Sequence, residues 1–62
     1  MNYRDKIISD NIALCLRHKD LLTDWERNFV ESVDGQDYPL TQNQFNRLNE
    51  IATKVNRKLL IG

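Results

Sequence analysis

The chain is 62 residues long, 40% hydrophobic and 29% charged, with nine Lys+Arg against nine Asp+Glu and a formal net charge of zero. That length allows one domain, residues 1–62, and the composition is that of a globular protein rather than a disordered one. The balanced charge argues against a chain living mainly on phosphate-backbone attraction, the single Cys excludes an internal disulfide or a four-cysteine metal site, and no stretch approaches the ~18 apolar residues of a membrane span.

The first predicted element is a helix over about residues 3–18. Ile8, Ile12, Cys15 and Leu16 recur at helical spacing, and Ile7 and Leu14 widen their stripe. Arg17, His18 and Lys19 crowd the end, where positive charge meets the negative end of the helix dipole. A second helix is expected over about 24–34. Thr23 stands as N-cap with Glu26 three residues on, the spacing of a capping box. Trp25, Phe29 and Val33 then share one face, with Val30 beside them. Asp34-Gly35 closes the helix, glycine being the residue that accepts the left-handed conformation common past a C-terminus.

Residues 35–40 read as a loop, because Pro39 bars helix at Tyr38; its peptide bond is expected to be trans. A third helix is expected over about 42–60. Thr41 and Gln44 repeat the capping-box spacing, and Leu40 and Phe45 occupy the hydrophobic-staple positions. Phe45, Leu48, Ala52, Val55 and Leu59 follow at alternating steps of three and four, a seam suited to a helical bundle; Ile51 lies beside it. Leu60 and Ile61 make an apolar end, expected to pack on a neighbour.

The fold expected is therefore all-α: three helices in a hairpin or small bundle. A chain of this size buries only roughly 60% of its unfolded surface. Without disulfides or a metal, self-association is expected to complete the core, a homo-oligomer with a dimer favoured. Charge is segregated: residues 1–19 hold four bases and two acids, 20–37 one base and six acids, and 38–62 four bases and one acid. Helix-dipole complementarity and a solvated surface account for most of that pattern, which also suits charge-steered association.

The run Leu22-Thr23-x-Trp25-Glu26-x-x-Phe29-Val30-x-Ser32, a Pro-bearing loop, then Leu40-Thr41-x-x-Gln44-x-x-x-Leu48-x-x-Ile51 resembles a small helical module of uncharacterised phage and prophage proteins. The resemblance covers about residues 14–55. It implies a phage or mobile-element origin and a helical hairpin, and it carries no catalytic residue across.

Candidate chemistry is sparse. Cys15 and His18 stand three apart on one helix, but a nucleophile pair needs a cleft, an orienting group and oxyanion donors. A core Cys and a helix-end His are expected instead. One Cys and one His cannot furnish the usual zinc ligand set, the acids from Asp20 to Asp37 lack calcium-loop order, and no Gly-rich phosphate loop exists. No catalytic, cofactor or metal residue is assigned. The N-terminal residues lead into no apolar signal region, so a cytoplasmic location is expected, the host cytoplasm for a phage protein.

The leading expectation is a non-enzymatic accessory protein acting through contact with a host or phage protein, in phage DNA metabolism or as an inhibitor of a host factor. Its interaction or oligomer residues would be Trp25, Phe29, Phe45, Leu48, Val55, Leu59 and Leu60, with Trp25 buried in the core or at a dimer core. The alternative is a nucleic-acid-binding protein using the third helix, with Asn43, Asn46, Arg47, Lys54 and Arg57 as contacts. The long connecting loop and the acidic helix before it count against that reading. A further alternative is a small molecule or nucleotide held between subunits by Arg and Lys.

Overall fold

The computed structural model describes residues 6–61. Among them are three α-helices and no strand: α1 (Lys6–Arg17), α2 (Asp24–Asp34) and α3 (Gln42–Ile61), with a 3-10 turn at Lys19–Leu21. Residues 3–5 of the expected first helix lie outside the described residues.

The first helix ends one residue earlier than expected, at Arg17. His18 adopts a non-helical conformation, and the chain tightens through Leu21 N–H to His18 C=O at 3.0 Å and Leu22 N–H to Lys19 C=O at 3.0 Å. Such three-residue bonds occupy backbone groups that a helix end leaves unmade. They also turn the chain so that Leu22 enters the core. The 3-10 turn had no sequence signature, because its charged residues read as the basic end of α1.

Both capping boxes form. Glu26 N–H donates to Thr23 Oγ1 at 3.2 Å while Thr23 N–H donates to Glu26 Oε1 at 2.9 Å. Gln44 N–H donates to Thr41 Oγ1 at 3.1 Å while Thr41 N–H donates to Gln44 Oε1 at 2.9 Å. Gly35, however, is right-handed, with φ −83° and ψ −3°, so the left-handed closure expected there is not used. Its N–H and that of Gln36 bond back to the last turn instead, reaching Glu31 C=O at 3.1 Å and Val33 C=O at 3.2 Å. The loop is then tied down by Gln36, whose amide donates to the carbonyls of Tyr38 at 3.1 Å and Pro39 at 3.2 Å. It also exchanges hydrogen bonds with Gln44 at 3.0 and 3.2 Å. No peptide bond among the described residues is cis.

Long-range contacts define the topology. Asn11 meets Asn49 and Leu21 C=O meets Lys58, so α1 and α3 run parallel. Glu26 meets Lys54 and Gln36 meets Gln44, so α2 runs antiparallel to α3. All three helices and Leu22 build one core: Ile8, Ile12 and Cys15; Val30 and Val33; Leu48, Ile51, Ala52 and Val55. Leu40 and Phe45 are half-buried against it, as the staple positions require. Ile7, expected to widen the apolar face of α1, is 61% exposed. At 1.5 Å per residue, α3 is about 30 Å long and α1 about 18 Å. The last turn of α3 consequently outruns its neighbours, and Leu60 and Ile61 are 88% and 80% exposed.

Candidate interaction surface

The α2–α3 interface is the sparsest of the three. A shallow groove of about 350 Å³ opens there, lined by Trp25 and Phe29 from α2 and by Asn43, Asn46, Arg47 and Glu50 from α3. Trp25 is 57% exposed and so stands outside the core of its own chain, which corrects the first of the two places expected for it, the intrachain core, and leaves the dimer core. The cause is helical phase. Val30 and Val33 point inward, and Trp25, five residues before Val30, sits about 140° around the helix from it. The place on the inward side falls to Glu26, one residue on.

Trp25 is held in a defined orientation at this edge. Its ring stacks on Phe29 with centroids 5.6 Å apart and planes 12° apart. The Arg47 guanidinium lies 5.4 Å from the Trp25 ring centroid, within cation–π range. Arg47 also pairs with Glu50 at 3.1 Å. The result is a rigid aromatic plate framed by amides and by one neutralised charge pair, a surface suited to apolar or amphipathic matter.

The other candidate interaction residues divide into two groups. Leu48 and Val55 are fully buried and act as core. Phe29 and Phe45 are half-buried against that core. Leu59 is 45% exposed and Leu60 almost wholly so.

Of the candidate nucleic-acid contacts, Asn43, Asn46, Arg47 and Arg57 are exposed on one side of α3. Two of the three cations are already engaged. Arg47 faces Glu50 and Trp25, and Lys54 Nζ donates to both Glu26 carboxylate oxygens at 2.6 and 2.7 Å. Arg57 alone of the three has no carboxylate within ion-pair distance among the described residues. Asn49 faces inward, where it accepts from the Asn11 amide at 2.8 Å.

Glu26 has two tasks that local spacing could not reveal together. It closes the capping box of α2 and anchors Lys54 of α3, 28 residues away. Its side chain is only 15% exposed. The Lys54 hydrogen bond holds its carboxyl below the ordinary value; burial opposes this, and the Thr23 backbone N–H assists it. Cys15 is fully buried, and burial, followed by the nearby Glu26 carboxylate, pushes its thiol up. That is the reverse of what activates a nucleophilic thiol. Cys15 and His18 are joined by a backbone hydrogen bond, His18 N–H to Cys15 C=O at 3.2 Å. Among the described residues no group of three or more His, Cys, Asp and Glu side chains could hold a metal ion, and no helix is long and apolar enough to cross a membrane.

No protein-family model matches this chain, and no curated protein or solved structure matches it either.

Proposed function

We infer that this chain is a non-enzymatic accessory protein that works by protein–protein contact, as a homo-oligomer engaging a host or phage protein in the host cytoplasm. The phage setting, in DNA metabolism or as an inhibitor of a host factor, rests on the resemblance of the Leu-Thr-x-Trp-Glu and Leu-Thr-x-x-Gln pattern. The observation that carries the reading is apolar surface left outside a core that is already closed. Trp25, Leu59, Leu60 and Ile61 are exposed while ten smaller or central side chains fill the interior. Fixed, exposed aromatic and aliphatic side chains framed by polar groups are the hallmark of protein-contact surfaces.

The test is affinity capture from host cells expressing the tagged chain, with Trp25→Ala and Leu60→Asp as controls. A specific protein is expected with the wild type and should be lost with one or both variants. Recovery of nothing specific, or of the same set with all three, overturns the reading.

A further inference from the structure

The exposed face of α3 reads as an interface. Asn46, Glu50, Thr53, Arg57 and Leu60 recur at steps of four, three, four and three, and all five are exposed. The face is polar until its last turn, where Leu60 and Ile61 stand on the side of the helix away from Val55. An aliphatic pair there contributes nothing to this chain's core. Ile61, 14 residues and some 20 Å on from Arg47, lies within about 40° of it around the helix, so it shares the side of α3 that carries the Trp25–Phe29 groove. One molecule thus carries both an apolar projection and an apolar recess on one face, which is the condition for a self-complementary twofold contact.

We propose that two copies of this chain pair through antiparallel α3 helices about a twofold axis passing between Thr53 and Lys54, so that Ile61 of each enters the Trp25–Phe29 groove of the other. Charge selects the register and direction. About that axis position 61 lies opposite 46, in the groove, and position 57 opposite 50. Arg57, which has no carboxylate partner among the described residues of its own chain, therefore meets Glu50 of the second copy, twice per dimer. Among the described residues of its own chain Glu50 pairs only with the exposed Arg47, a contact of little weight alone. Lys54 falls opposite uncharged Thr53, and its charge is already matched by Glu26. A parallel pairing would set Arg57 against Arg57 and leave both grooves empty. The proposal rests on the self-association within the functional reading above and names its surface.

Sedimentation equilibrium of the full chain over a concentration series tests it. The wild type should dimerise. Ile61→Ala, which withdraws the apolar projection from both grooves, should weaken the dimer about tenfold or more; so should Glu50→Arg and Arg57→Glu singly, because each of these two sets like charges face to face. The double exchange Glu50→Arg with Arg57→Glu should restore dimerisation, a rescue that general misfolding cannot mimic; far-UV circular dichroism checks that each variant stays helical. Thr53→Cys, next to the axis, should form a disulfide-linked dimer on oxidation, and Gln42→Cys should not. A dimer indifferent to all these changes overturns the α3 pairing but leaves self-association standing. A helical wild type that stays monomeric at every concentration overturns both.

Discussion

Glu26 is the side chain on which most local order converges. It caps α2, receives Lys54 from α3, and its charge adds to the burial that raises the Cys15 thiol. Its carboxyl is held below the ordinary value in the folded chain, so it binds a proton more readily when unfolded. The stability it contributes is complete above about pH 4.3 and is lost as pH falls through the lowered folded-state value. Lys54→Met removes the main cause of that lowering. It should cost roughly 1–2 kcal/mol at pH 7 and flatten the acid limb of a urea-denaturation series taken against pH. Cys15 supplies an independent probe. Wholly buried and with its thiol raised, it should react with an aromatic disulfide reagent far more slowly than a free thiol, and reach full speed once denaturant opens the core.

At the scale of the element, the ends of the helices are set by side chains within three residues of the backbone groups they satisfy. Thr41→Ala removes one half of its capping box and should cost about 1 kcal/mol by chemical denaturation. Gly35 gives the opposite sign. Its backbone is right-handed, and an added Cβ would meet Glu31 C=O and Ser32 C=O at 3.7 and 3.9 Å, ordinary contact distances. Gly35→Ala should raise stability by about 0.4–1 kcal/mol, chiefly by restricting the unfolded chain, and a lower melting temperature would show that the glycine is needed after all. The caps and the limits of α2 and α3 were legible in the residue order because both partners of each bond lie close in sequence. The 3-10 turn was not: Lys19-Asp20-Leu21 has no pattern distinguishing a tight turn from a frayed helix end. Its form follows from carrying Leu22 into the core.

For the molecule as a whole, the division between core and surface predicts two kinds of mutational response. A domain of this length has a net stability of about 3–9 kcal/mol at the usual 0.05–0.15 per residue. Leu48→Ala should remove about 2–5 kcal/mol and leave the chain largely unfolded or close to it, as read by circular dichroism. Trp25→Ala should cost folding far less, because 57% of the residue already faces solvent and its Phe29 and Arg47 contacts are edge contacts. Its consequence should appear in binding. A loss for Trp25→Ala as large as for Leu48→Ala would return the ring to a structural role.

The residue order by itself determined the all-helical class, the two capping boxes and most of the core, since these depend on spacings of three, four and seven along one chain, and the loop at Pro39, since that ring bars helix locally. Tertiary structure decided what depends on two helices at once. The inward phase of α2 was open between two overlapping stripes, one through Trp25, Phe29 and Val33 and one through Val30 and Val33. Packing against α1 and α3 selected the second and put the largest ring at the edge. The same packing sent Asn49 inward to Asn11 and took Lys54, a candidate nucleic-acid contact by sequence, across to Glu26. Periodicity locates a face but not its neighbour, and a polar side chain has its role settled only when another helix brings a partner within hydrogen-bond reach.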